Sequence, residues 1–315
     1  MRYKKKVSIL FVLNFCLLVF YGLTLFFDPQ RTVKRNSAYS WLEERFISSA
    51  DRIEIYGIYG STILSRKNNI WVISATGQDF PVKQIRVEEL FRSLSRRKSY
   101  PLRSSASAPE RLGFDEGASR IIVRGGAGLP LLDLLIGFTD ASGRDVYLRK
   151  AGQKEIRSGE DIFSVYTESN RSFWYDLRIF PELLPSMVQK VHLLTAGESS
   201  YILSRQNSGW INERTGEQIP GAGTYLSSIL ALQGEDFVDL RERETALSLV
   251  LELGDGSFLI LRVSPPDTQG CVIVSVSGSP LSYLLSEWSA KRLWPSFFGE
   301  NPAGVYGAAI PAPDL

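Results

Sequence analysis

The sequence predicts an α+β protein, in which an N-terminal transmembrane helix is followed by two divergent repeats. Each repeat is a mainly antiparallel sheet with an amphipathic helix packed on it. Three observations lead there. Residues 7–27 form an apolar run without a charged side chain. The line "ILSRKNNIWVISATGQDFP" at 63–81 returns as "ILSRQNSGWINERTGEQIP" at 202–220, a constant offset of 139. After each copy, one stretch of helical periodicity interrupts a chain of short alternating segments.

The apolar run comes first. A helix of roughly twenty apolar residues crosses about 30 Å of hydrocarbon. "MRYKKK" precedes this one and "DPQ" follows it, with no small-residue cleavage site, so residues 1–28 read as a short tail and an uncleaved signal anchor. Phe15 is bulky and the apolar run continues past Cys16, which argues against a lipoprotein site there. Arg2, Lys4, Lys5 and Lys6 favour a cytoplasmic N-terminus, and Arg31, Lys34 and Arg35 partly oppose them. The expected location is the cytoplasmic membrane, single-pass, with the bulk of the chain outside the cytoplasm.

Residues 29–50 read as a linker with a short helix. Ser40 and Glu43 have capping-box spacing, and Leu42 and Phe46 share a face. The first repeat is expected over 51–182 and the second over 183–298. In the first, Ile53 and Ile55 point inward and Glu54 outward. In the second, Val191 and Leu193 point inward and His192 outward, after a one-residue slip. In the repeated line, Arg66 and Trp71 match Arg205 and Trp210; Asn68, Gly77 and Pro81 match Asn207, Gly216 and Pro220.

Val87, Leu90, Phe91 and Leu94 then form one helix face. Leu226, Ile229 and Leu230 repeat the first three, on a shorter helix expected to end near Gly234. "PLRSSASAPE" at 101–110 reads as a polar loop. "SRIIVRGG", "LLDLLIG" and "DVYLRK" read as strands, as do "LSLVLEL" and "FLILRV" around the turn "GDGS". The units close on "WYDLRIFP" and "WSAKRLWP", where Trp174 and Arg178 correspond to Trp288 and Arg292 at an offset of 114. The Gly-, Ala- and Pro-rich residues 299–315 read as a flexible tail.

Chemistry is less visible. The net charge of +2 gives no global attraction to nucleic acid. Two cysteines make no disulfide framework. A Ser-His-Asp or Cys-His mechanism would have to use His192, the one histidine of the chain. There is no CxxC, HExxH or EF-hand loop, and "RGGAGLP" is neither a P-loop nor a dinucleotide fingerprint. No catalytic residue, metal ligand, cofactor or small-molecule substrate is therefore assigned. Arg92, Arg96, Arg97, Lys98 and Arg103 form a basic cluster at the end of the first predicted helix. It reads as a solvated helix end, or as a contact for acidic lipid headgroups or an anionic polymer. Arg66, Trp71, Arg205, Trp210, Trp174, Arg178, Trp288 and Arg292 are the candidate positions. They hold the fold if buried and line a groove if exposed.

"ILSRKNNIWVI", the helix "VEELFRSLSRRK", "RLGFD" (111–115), "LLIG" (134–137) and "VYLR" (146–149) follow one another in an order that resembles domain-of-unknown-function family 4340. The resemblance covers most of the first unit and, more weakly, the second, where "RLGFD" and "LLIG" have no counterpart. It implies a single-anchor membrane protein with an extracytoplasmic body. Such proteins are often encoded beside ABC-type transporters of the gliding-motility class. An accessory or scaffold role, with a protein partner in a transport complex, is implied in the same way; no catalytic residues are. The alternative is a cell-envelope module binding a glycan or peptide.

Overall fold

The computed structural model describes residues 14–22, 38–75, 77–104, 109–115, 118–195, 198–207, 209–238 and 244–298. The fold is α+β and mostly β: antiparallel sheets with few helices. Two compact units are present. The first takes residues up to Asp79 and Lys83–Phe173; the second takes Phe80–Val82 and the chain from Trp174.

The first unit begins with β1 (Ala38–Tyr39), β2 (Ala50–Gly57), β3 (Gly60–Lys67), β4 (Ile70–Ala75) and β5 (Gln78–Pro81). Helix α1 (Gln84–Ser95) follows, then β6 (Lys98–Ser99) and β7 (Leu102–Ser104). A meander of β8 (Ser119–Gly125), β9 (Pro130–Thr139), β10 (Asp145–Lys150) and β11 (Ile156–Glu160) leads to helix α2 (Ile162–Thr167). The sheet order is β5-β4-β3-β2-β8-β9-β10-β11-β7, and β1 pairs with β6 apart from it. The helical periodicity is realised directly: Val87, Leu90, Phe91 and Leu94 of α1 are buried. The alternating inward residues Ile53, Leu64, Ile73, Ile121, Val123, Leu134 and Leu148 of the sheet are buried as well, and α1 packs on β4.

The second unit contains β12 (Val188–Thr195), β13 (Glu198–Gln206), β14 (Gly209–Asn212), helix α3 (Ala222–Leu230) and β15 (Asp236–Val238). Strands β16 (Leu247–Leu253), β17 (Phe258–Val263), β18 (Val272–Val276) and β19 (Ser282–Leu285) precede helix α4 (Glu287–Lys291). The order is β14-β13-β12-β16-β17-β18-β19-β15. With β5 set aside, both sheets place a three-strand meander beside a four-strand meander. In both, the strand after the helix takes the far edge. Leu226, Ile229 and Leu230 are buried beneath α3, and the buried Tyr225 hydroxyl donates to the Leu293 carbonyl at 3.0 Å.

Several expectations change. The linker helix shrinks to a 3₁₀ turn at Glu44–Phe46 without a side-chain cap. The amides of Trp41 and Leu42 instead bond the Leu94 carbonyl at the end of α1. The polar loop at 101–110 contains strand β7, because Arg157 and Ile156 of β11 offer it a free edge. Helix α3 stops at Leu230, before Gly234, whose amide bonds the Leu177 carbonyl. Glu54, expected in solvent, is 6% exposed, because two arginines lie across it. His192 is half-buried, with Nε2 3.7 Å from Glu252.

Residues 14–22 are helical. Among the described residues no helix is long and apolar enough to cross a membrane. Most of the span expected at 7–27, and all of the tail at 299–315, lie outside the described residues.

Candidate functional site

The repeated line resolves residue by residue into turns, core and one tie. Arg66 lies directly across from Trp71 on the β3–β4 hairpin, and Arg205 across from Trp210 on β13–β14. The Arg66 guanidinium donates to the Ser48 carbonyl at 3.1 Å; that of Arg205 donates to the Pro185 carbonyl. Each acceptor sits in the turn that leads into its sheet's first strand of the hairpin pair, β2 or β12. In both arginines Nε is buried and makes no hydrogen bond. Arg205 also stacks over Trp210, 5.0 Å from the ring centre.

Both tryptophans are buried, Trp71 at 7% and Trp210 at 9% exposure. Trp71 packs on Phe91 of α1, ring centres 5.7 Å apart, and its backbone exchanges two hydrogen bonds with the Gln84 amide. Trp210 lies under α3, where a side chain at Gly223 would reach its ring at 3.8 Å. Gly77 and Gly216 both have left-handed backbone, φ 83° and 72°, which accounts for the repeated glycine. Asn68 is left-handed too, φ 49°, at the turn between β3 and β4.

The closing segments are held differently. Trp174 is fully buried, whereas Trp288 on α4 is 67% exposed. Arg178 is exposed and clamps Asp176, with Nε 2.9 Å from one oxygen. That carboxylate holds the guanidinium pKa above its ordinary value. Arg292 stacks on Trp288 at 4.8 Å, and burial lowers its pKa. The structure thus brings Arg66 to Trp71, Arg205 to Trp210 and Arg292 to Trp288, while Arg178 turns to Asp176.

The segments that carried the resemblance converge in the first unit. A side chain at Gly137 would fall 2.1 Å from the Leu112 carbonyl and 3.0 Å from the Phe114 ring. Gly113 has φ 83° and abuts Phe138. The Arg149 guanidinium lies over the buried Phe114 ring at 4.8 Å. "RLGFD", "LLIG" and "VYLR" therefore form one packed closure of the 3₁₀ turn Pro109–Leu112 onto β9 and β10. Sequence order showed these residues, but their mutual contact had no sequence signal.

Two further polar features stand out, one unread in the sequence and one at the basic cluster that the sequence showed. On β2, Glu54 accepts from Arg52 Nε at 2.8 Å, from Arg124 Nε at 2.9 Å and from the Tyr56 hydroxyl at 3.2 Å. The Arg124 hydrogen bond, opposed by desolvation and helped by Arg52 and Tyr56, holds its carboxyl below the usual range. Arg120 and Asp133 make a second pair beside it, 2.7 Å apart. Glu54 and Asp133 each have an arginine partner, so this is a hydrogen-bonded ion network on a sheet face. The second feature is a cleft of about 620 Å³ at the end of α1, lined by Glu43, Glu44, Arg45, Arg92, Arg96 and Arg97. A second cleft of about 420 Å³ shares Arg96 and adds Lys98, Ser99, Tyr100, Asp145 and Glu160. Among the described residues no three His, Cys, Asp or Glu side chains gather as metal ligands.

A family model described as "Domain of unknown function (DUF4340)" matches residues 71–248, more than half of the chain. No curated protein matches, and no solved structure does.

Proposed function

The chain belongs to the DUF4340 family, and from that premise we propose that it is a non-enzymatic, membrane-anchored extracytoplasmic protein serving as an accessory or scaffold subunit of an ABC-type transport complex. The observation that carries this reading is the helical segment 14–22. It leaves Phe15, Leu17, Leu18 and Phe20 between 58% and 70% exposed, a contiguous apolar surface open to the surroundings. Exposed apolar side chains of this size on one helix suit lipid. The matching strand order of the two sheets, once the extra edge strand β5 is set aside, supports the finer reading of two divergent repeats after the anchor.

The repeated Arg–Trp pairs favour scaffolding over ligand capture. Both tryptophans are buried under their own unit's helix and both arginines are tied to backbone carbonyls. A glycan- or peptide-binding groove would need those rings at the surface. Affinity isolation of the full chain from mildly solubilised membranes tests the proposal. Transporter subunits should co-purify in fixed ratio. Recovery of the chain alone, across several detergents, would refute it.

A further inference from the structure

The two clefts at the end of α1 are not accounted for by the scaffold role. Arg92, Arg96 and Arg97 are exposed, and their side chains make no hydrogen bond or ion pair among the described residues. The i,i+4 pair that Glu88 could offer Arg92 is not formed. By contrast Arg52, Arg86, Arg120, Arg124 and Arg157 of the same unit are each engaged. Within the clefts Arg45 is paired with Glu43, and Lys98 with Glu160. That leaves three guanidinium groups, Arg92, Arg96 and Arg97, lining the first cleft with Glu44, and Arg96 also lining the second with Asp145. A helix C-terminus favours a cation, but it explains neither three of them nor the concavity between them.

The second observation is where the chain arrives. Strand β1 brings it from the N-terminal segment and pairs Ala38 with Ser99 and Tyr39 with Lys98. Ser99 and Lys98 are themselves cleft residues. Tyr39 is fixed there by Trp41 and Tyr100, ring centres 5.0 Å and 6.4 Å away. Ten residues separate Ala38 from Phe27, the last of the apolar run. Fully extended, the eleven steps from Phe27 to Ala38 span at most about 40 Å, so an anchored chain cannot carry Ala38 farther than that from the end of the apolar run.

We propose that the Arg92–Arg96–Arg97 cleft is a binding site for the anionic phosphodiester headgroups of the membrane from which the chain emerges. This rests on the anchor reading above. Guanidinium groups take phosphate oxygens in pairs, and basic side chains this close to an anionic surface are drawn to it. Net charge cannot supply that attraction, because it is only +2 over the whole chain. The site turns a tether into a two-point attachment that sets the orientation of the first unit on the lipid surface.

The test uses the full chain in phosphatidylcholine bilayers and in mixed phosphatidylcholine–phosphatidylglycerol bilayers. Hydrogen exchange of residues 92–99 should slow by roughly tenfold in the mixed bilayer. Combining Arg92→Gln, Arg96→Gln and Arg97→Gln should abolish the difference. An equal charge change at Arg111, Lys154 and Arg171 should preserve it. Flotation with pure phosphatidylcholine vesicles reports the anchor alone. A chain that floats there but exchanges equally in both bilayers overturns the headgroup site and leaves the anchor standing. One that floats only with phosphatidylglycerol refutes the anchor and keeps the site. If millimolar inorganic phosphate in phosphatidylcholine slows exchange as much as phosphatidylglycerol does, the lipid assignment is wrong.

Discussion

The tryptophans that mark the repeats carry different physical weight. Trp71 is buried, stacked on Phe91 and bonded through its backbone to Gln84, so removing its ring leaves a cavity between sheet and helix. Trp71→Ala should cost about 3–5 kcal/mol. Trp288 is two-thirds exposed, and Trp288→Ala should change stability by about 0.5 kcal/mol or less. Urea unfolding of the two variants separates a core residue from a surface one. Glu54 gives a second test. Its folded pKa lies below the ordinary value of 4.5, chiefly through Arg124. The folded state therefore binds fewer protons than the unfolded state, and the stabilisation is present above that ordinary value. It is lost as pH falls through the folded pKa. Glu54→Gln should lower stability at neutral pH by about 1–3 kcal/mol, since two arginines lose their charged acceptor. It should also flatten the loss of stability on acidification. A variant whose acid limb remains as steep as the parent's would show that other carboxylates govern it.

At the scale of elements, what was legible depended on whether a pattern was local. Helix α1 could be read because four apolar residues at helical spacing need only one sheet to cover them. The hairpin at "GDGS" could be read because Asp255 and Gly256 meet the turn's demands from within: the carboxylate accepts the Ser257 amide at 2.9 Å, and Gly256 has φ 83°. The linker helix failed because its competitor was distant, the Leu94 carbonyl, more than fifty residues away in sequence. Strand β7 was hidden for the same reason. Of the candidate positions, Arg66 and Trp71 announced themselves by recurrence. The buried state of Glu54 and the Phe114 closure had no periodicity to reveal them. The closure makes its own prediction. Gly137→Ala would place a methyl group 2.1 Å from the Leu112 carbonyl, which is backbone and cannot rotate away. The turn at Pro109–Leu112 must then lift from β9, at a cost of about 1–3 kcal/mol or more. Faster proteolysis between residues 104 and 118, with the second unit unaffected, is the expected signature.

For the molecule as a whole, the apolar residues 7–27 decide where the two sheets work. The described part is a helix whose Phe15, Leu17, Leu18 and Phe20 are largely exposed, and the first described strand after it pairs with residues of a basic cleft. In water such a helix would be a liability for aggregation; in lipid it needs no partner. Full-length protein should therefore stay with membranes through an alkaline carbonate wash. Leu17→Lys together with Leu18→Lys should release it, because each ammonium near the middle of a span costs about 2.5–3.5 kcal/mol of insertion. The same pair of substitutions would leave both sheets intact, since neither residue contributes to either core. Circular dichroism of the released variant should then retain the parent's β signal and melting midpoint. Extraction of the unsubstituted chain by carbonate would instead remove the anchor, and with it the reason for placing the cleft against lipid.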